Sequence, residues 1–366
     1  MEDIPDKRVR ENNHTTPNVE ERNIIRTDRY LTYDVLRIIF KYLNGVDLSN
    51  ASMVCRSWLE VANDEKRIAR GSILYFLQDS RNADYFRIQL INKLLIKPTL
   101  GLLFGPPWRQ FDKKHCHCKV LPANCDVITM GTEGVIINDR EFENHLTDVV
   151  CTFLPDIPNV TIKTFTFVGV FRTQAAAQYT HQINTALNTR ASNSHKCLLL
   201  FCNNTGRRIA RAVATLLQIS HEKASIWGGV VSDLRICNSK DPGDNRCVQP
   251  ATCVAITLVG LVDSWSVVID GCYRTKKAVE ERLKSFRNNV SLRKHSMGFM
   301  FACRERGKRM FREDNVESST FKNLFPEVPL VGCFGDGEFG KTTIPNVKEE
   351  TWYNEISTVF LIITYG

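Results

Sequence analysis

Hydrophobic positions are sparse at the start of this 366-residue chain, crowded in one short stretch, and then spaced in strand-like and helix-like segments. Residues 1–28 are rich in Asp, Lys, Arg, Glu, Asn and Pro. Their few aliphatics cannot offset the entropy of ordering, which predicts a disordered arm. In 31–43, by contrast, nine of thirteen residues are apolar or aromatic. On a helix, Asp34, Arg37 and Lys41 fall on one narrow polar strip, with Thr32 placed to cap, and the rest of the circumference is apolar. Such a helix is buried all round or packs its own domain on one side and a partner on the other. Asn44 and Gly45 end it, Asp47 can cap a second short helix through Val54, and a third runs from about Arg56 until Gly71 breaks it. Three short helices in 29–72 make too thin a core to cover both sides of the first, so the pattern calls for a partner surface.

Beyond residue 72 the period changes. Segments 100–104, 126–130, 164–171, 197–202, 253–260, 265–270, 296–303 and 359–364 read as strands, while 206–219 and 275–287 read as helices. The mixture predicts an α+β protein: a small three-helix module followed by a large mixed α/β domain. Two stretches echo each other. Segments 126–134 and 328–338 are each a short apolar strand running into a Gly-rich acidic turn, and Ile226 to Val231 adds a Trp-Gly-Gly variant. The echo predicts two related halves, 73–240 and 241–366.

Composition narrows the class. With 43% hydrophobic and 24% charged residues, most of the chain can build a core. The longest strongly apolar run, 253–262, stops at Asp263, short of a membrane span, and no secretory leader pattern is present. The expectation is a soluble intracellular protein with no membrane contact. Thirteen scattered cysteines, several inside apolar runs, read as reduced thiols. The net charge of +8 is not gathered into basic runs with interleaved aromatics, so nucleic-acid binding is not expected.

Several motifs suggest chemistry. Segment 335–342 satisfies the phosphate-loop expression, yet Pro345 limits any helix behind it, and Asp336 and Glu338 would face the polyphosphate. His115, Cys116, His117 and Cys118, with Cys125 nearby, are zinc-type residues without a second well-separated pair. Cys303 lies beside Arg304 and Arg306, a setting that favours a thiolate, although burial as a core cysteine fits its apolar strand better. There is no C-x-x-C pair and no G-x-S-x-G elbow. No catalytic residue, metal or cofactor is expected.

The N-terminal module resembles the F-box family. The pattern runs through Leu31, Thr32, Tyr33, Asp34, Val35 and Leu36, then Ile39, Phe40, Leu43, Asp47 and Leu48, and ends on Val54, Cys55, Arg56, Ser57 and Trp58; Thr32 stands where the family usually has Pro. The resemblance implies docking on the Skp-type adaptor of a cullin-based SCF ubiquitin ligase through Leu31, Leu36, Ile39, Phe40, Leu43, Leu48 and Trp58. The larger region is similar to FIST sensory domains, in order, at 167–170, the Trp227-Gly228-Gly229 segment, 297–299 and 332–340. That resemblance implies a pocket in which Gly131, Gly134, Gly228, Gly229, Gly335 and Gly337 let the backbone approach a ligand or substrate. Together the two resemblances imply a non-catalytic receptor, cytoplasmic and nuclear, that recruits protein substrates for ubiquitination and proteasomal degradation. The alternative is a small-ligand sensor.

Overall fold

The computed structural model describes residues 31–43, 45–68, 73–77, 98–106, 121, 125–143, 147–188, 195–220, 224–238, 248–345 and 351–366. The expected arm at 1–28 and the His115 to Cys118 cluster lie outside them.

The N-terminal module is three helices, α1 (Tyr33–Phe40), α2 (Gly45–Ala51) and α3 (Arg56–Ile68). Thr32 caps α1 as its position predicts: its hydroxyl accepts from Val35 N at 3.4 Å and its carbonyl from Leu36 N at 2.9 Å. Leu36, Phe40, Leu48, Ala51, Val61 and Ala62 form the small core, with Leu43 and Trp58 packed against it. The Phe40 and Trp58 rings meet edge to face at 5.3 Å.

The larger body carries strands β1 (Ile73–Leu77), β2 (Pro98–Gly105), β3 (Asp126–Gly131), β4 (Gly134–Ile137), β5 (Arg140–Glu143), β6 (Val149–Pro155), β7 (Val160–Phe167), β8 (His195–Asn203), β9 (Ser225–Val231), β10 (Asp233–Asn238), β11 (Val248–Pro250), β12 (Cys253–Gly260), β13 (Asp263–Ile269), β14 (His295–Cys303), β15 (Leu330–Gly335), β16 (Glu338–Gly340), β17 (Tyr353–Asn354) and β18 (Thr358–Tyr365). Its helices are α4 (Thr173–Asn188), α5 (Arg207–Ser220), α6 (Lys276–Arg287), α7 (Gly307–Phe311) and α8 (Val316–Leu324).

These strands form three six-stranded sheets, ordered β1-β6-β2-β3-β10-β11, β7-β12-β8-β9-β16-β17 and β13-β18-β14-β15-β4-β5. Each order becomes the next on adding six to every strand number and counting past eighteen back to one. In each sheet one central pair is parallel (β2 with β3, β8 with β9, β14 with β15), and every other pairing is antiparallel. The α+β architecture stands, but the two expected halves do not. The connectivity makes three equivalent units, β1–β6, β7–β12 and β13–β18, joined at 156–159 and 261–262. The expected boundary near 240 lies outside the described residues, between β10 and β11 of the second unit.

The echoing segments are the equivalent corners of these units. The third strand of each unit runs through one or two residues into a fourth strand that leaves for the neighbouring sheet: β3 to β4, β9 to β10, β15 to β16. Three backbone bonds close the resulting ring, Ser232 N to Gly131 O at 2.9 Å, Asp336 N to Val230 O at 2.9 Å and Glu133 N to Phe334 O at 3.1 Å. The inner faces of all three sheets share one core. Trp227 sits within it, its ring against Phe104, Phe201, Phe299 and Phe301 and its Nε1 donating to Val359 O at 3.0 Å. Helices α4 and α5 cover the outer face of the second sheet, and α6 and α8 that of the third.

Candidate functional site

Helix α1 carries two apolar stripes. Leu36 and Phe40, four residues apart, point into the module, whereas Val35, Ile38, Ile39 and Tyr42, at helical spacing on the other side, are exposed. Leu31, Tyr33, Val46, Met53, Val54 and Leu59 of the module are exposed as well. Exposure reaches 60% at Ile38, 86% at Tyr42, 78% at Met53 and 61% at Val54. Of the seventeen exposed large hydrophobics among the described residues, ten fall between 31 and 59 and seven are spread over the whole body. So much apolar surface on so small a module marks an interaction site.

The seven residues expected to touch an adaptor therefore divide. Leu31 and Ile39 lie on the outward face. Leu36, Phe40 and Leu48 are buried in the module core, and Leu43 and Trp58 are packed against it, so these five shape the surface from beneath. The sequence reading missed Val35, Ile38, Tyr42, Met53 and Val54. The spacing of 35, 38, 39 and 42 was the signal that could have found the α1 members.

Polar contacts fix the frame of this face. Tyr33 donates its hydroxyl to the Asp64 carboxylate, a bond that pushes the phenol's pKa up. Arg37 lies 3.8 Å from the buried Glu65 carboxylate. Cys55, exposed just before α3, has its thiol shifted toward the thiolate, first by the Ser57 hydroxyl at 3.2 Å and then by the Trp58 backbone N–H.

The six glycines expected to line a pocket lie where strands and side chains pass closely. A side-chain carbon on Gly228, at φ +144°, would sit 2.0 Å from Leu200 O, and one on Gly335 would strike the Phe301 ring and Val230 O at 2.5 Å. Additions at Gly131, Gly134, Gly229 and Gly337 likewise meet Asp233, Phe142 O, Phe301 and Tyr353. All six serve close passage of strands and side chains at the sheet corners. Two clefts open on the body. One, of about 410 Å³, is lined by Glu133, Glu143, Arg304, Glu305, Arg309 and Phe334. Another, of about 310 Å³, is lined by Thr99, Asp126, Asp156, Ile157, Val160, Thr161 and Ile162.

The phosphate-loop lettering at 335–342 is one of the corners: β15 turns into β16, not into a helix. Lys341 sits over the Trp352 ring, and the buried Thr342 hydroxyl accepts from Val268 N at 3.1 Å and Arg282 at 3.0 Å. Burial pushes the Cys303 thiol up to about 11 and that of Cys125 to about 12, which makes both poor nucleophiles at neutral pH. No cluster of three potential metal ligands occurs among the described residues.

Sequence reasoning also missed a group of buried charges. Arg306, fully buried, bonds the buried Glu317 carboxylate at 2.7 Å and donates to Asp270 O at 3.1 Å and Tyr273 O at 3.2 Å. Thr358 completes Glu317 at 2.7 Å. Burial, reinforced by the Glu317 charge, pushes Glu141 up to about 7. Burial also pushes Glu338 up to about 8, against bonds from Ser357 and Gly337 N and the nearby Arg306 charge. Arg306, Thr358 and Glu141 hold α8 through Glu317 and Ser318 N, while Glu338 ties β16 to the turn before β18.

Comparison with known proteins assigns the module. An F-box-like family model matches residues 33–70. F-box only protein 22 from Pongo abelii is 25% identical over 273 residues, covering 68% of this chain and 66% of its own. The Homo sapiens protein of that name is 24% identical over the same shares. The chain thus spans just under two thirds of the length of these relatives. Among solved structures, a cyanuric acid hydrolase from A. caulinodans aligns over 81% of this chain and 99% of its own at 7% identity, but its TM-score of 0.40 is too low to carry an argument. The module is thus similar to the F-box-like family over 33–70, and the chain is similar over 68% of its length to the F-box only protein 22 relatives.

Proposed function

We propose that this protein is the substrate-recognition subunit of an SCF (Skp-cullin-F-box) ubiquitin ligase, with the outward stripe of the module seated on a Skp-type adaptor. The observation that carries this reading is the second apolar face of α1, which the module cannot cover from its own residues. Val35, Ile38, Ile39 and Tyr42 supply the helical ridge, and Met53, Val54 and Leu59 extend it. In this reading the body, which resembles FIST domains in sequence, holds a client protein. The cullin scaffold then brings the ubiquitin-charged enzyme to the client's lysines for ubiquitination and proteasomal degradation in the cytoplasm and nucleus. The chain contributes proximity and needs no acid, base or nucleophile of its own.

The test is adaptor binding by the full chain carrying Ile38→Glu. A charge in the middle of the exposed stripe should cost about 2 kcal/mol or more of binding, as at an interface hot spot, while leaving the fold intact because Ile38 touches no core. Co-purification with a Skp-type adaptor undiminished by the substitution would overturn the proposal.

A further inference from the structure

The three equivalent units expose one difference. Strands β1, β7 and β13 hold the same place at the edge of their sheets. The outer edge of β13 is covered: Thr343 N donates to Ser266 O at 2.8 Å, and Ser266 N and Val268 N donate to the hydroxyls of Thr343 and Thr342 at 3.0 and 3.1 Å. Strand β7 pairs with β12 on one side and with no strand on the other among the described residues. It is eight residues long and continuous in register with β12 from Val160 to Phe167. Leu261 N donates to Asn159 O at 3.1 Å, which sets the phase of the ladder. Alternation then turns the N–H and C=O groups of Ile162, Thr164 and Thr166 to the outer edge.

A cleft adjoins this edge. Thr99, Asp126, Asp156 and Ile157 face Val160, Thr161 and Ile162 across about 310 Å³. Side chains of a strand alternate between its faces, so a cleft touching three consecutive residues opens along the strand's edge. Its lining combines two carboxylates, Asp126 and Asp156, with the aliphatic Ile157, Val160 and Ile162. That combination fits a side chain with an aliphatic stem and a cationic head. A second copy of β7 is a poor occupant, because antiparallel self-pairing about the strand's middle brings the exposed Lys163 side chains together.

We propose that the outer edge of β7 and its adjoining cleft form a docking site for an extended peptide segment carrying a lysine or arginine. The segment pairs its backbone with Ile162, Thr164 and Thr166 and lays its cationic side chain into the cleft toward Asp156. This deepens the receptor reading, naming a basic extended segment as the class of client element, and rests on that reading only for calling the segment a client.

The probe is a labelled hexapeptide, acetyl-Thr-Val-Lys-Val-Thr-Val-amide, titrated against the full chain by fluorescence anisotropy, beside a twin with Glu in place of Lys. Saturable binding of the Lys peptide is expected, with the Glu peptide about tenfold weaker. Asp156→Lys, at an exposed position, should reverse that preference. Thr164→Pro should weaken both peptides by removing an outward donor, a change an edge strand accommodates; circular dichroism checks its fold. Should that variant not fold, hydrogen exchange on the unaltered chain replaces it: the Ile162, Thr164 and Thr166 amides should slow when the Lys peptide is added. No saturable binding, protection elsewhere, or a preference unmoved by Asp156→Lys would overturn the proposal. Adaptor binding measured on the same samples separates the two readings, since Ile38→Glu should abolish adaptor binding and leave peptide binding unchanged.

Discussion

The F-box module and the three-sheet body treat hydrophobic sequence in opposite ways. The module places Leu36 and Phe40 inside and leaves Val35, Ile38 and Ile39 of the same helix, and Tyr42 just beyond its end, in solvent. The body hides even its ionisable groups: Arg306, Glu317 and Glu338 are fully buried, and its exposed apolar residues are scattered. Apolar excess in a unit too small to absorb it describes a partner, whereas the same excess in the body describes the fold.

The largest effect should come from the buried ion pair. Arg306→Leu leaves Glu317 charged and uncompensated, which should cost about 3–5 kcal/mol in denaturant unfolding of the full chain. The double variant Arg306→Leu with Glu317→Leu should recover much of the loss. A single variant as stable as the parent would mean that the body is not the closely packed partner in this comparison.

Phe40→Ala and Ile38→Glu set the module's two stripes against each other. Phe40→Ala removes a core ring and should cost the module about 3 kcal/mol, read as loss of hydrogen-exchange protection in α1 and α3. Ile38→Glu should leave that protection unchanged while removing adaptor binding. Equal loss of protection in both variants would erase the distinction between inner and outer stripes.

The pH response should belong to the body. Glu338 titrates near 8 in the folded chain and near the ordinary carboxylate value once unfolded. Between those values the folded state holds the proton and the unfolded state does not. Its contribution is therefore complete below about 4.5 and is lost as pH rises toward 8. The fall has a limiting slope of about 1.4 kcal/mol per pH unit. Glu338→Gln should flatten this slope in urea titrations at pH 5 to 8; an unchanged slope would assign it to other groups.

The smallest effect is expected at the cap. Thr32→Ala should cost the module about 0.5 kcal/mol, since the hydroxyl accepts from Val35 N across a long 3.4 Å contact. Exchange at the Val35 amide would report it.

Much of the module was legible because thirteen residues, 31–43, carry both the helix period and its apolar excess. What the pattern could not separate was inside from outside: Leu36 and Phe40 differ from Val35 and Ile39 by one helical step, and all four are apolar. Only the packing of Val61, Ala62 and Trp58 decides which stripe is covered. In the body, strands and the Gly-rich corners were readable, but the three-unit arrangement was not. The middle corner uses Ser232 and Asp233, without the glycines that made 131–134 and 335–337 resemble one another. The linking turns also mislead, because strands joined by one or two residues normally pair as a hairpin, and here each partner enters a different sheet. The glycines were ambiguous for a related reason: glycine marks close approach without saying whether the approaching group is a ligand or the protein's own backbone. The outward edge of β7 has no local signature, since it is defined by the lack of a neighbouring strand among the described residues.

The exchange of strands between sheets also imposes a schedule on synthesis. Strand β4 leaves the first unit to pair with β15, with Ile137 opposite Val331, 194 positions later (331 minus 137). At about 5–20 residues per second the ribosome needs roughly 10–40 s to supply that partner. Until then β4 and β5 have no sheet to join, while the module's three helices, built from contacts within 31–68, have everything they need. The newborn chain therefore carries a finished helical module ahead of an unfinished body.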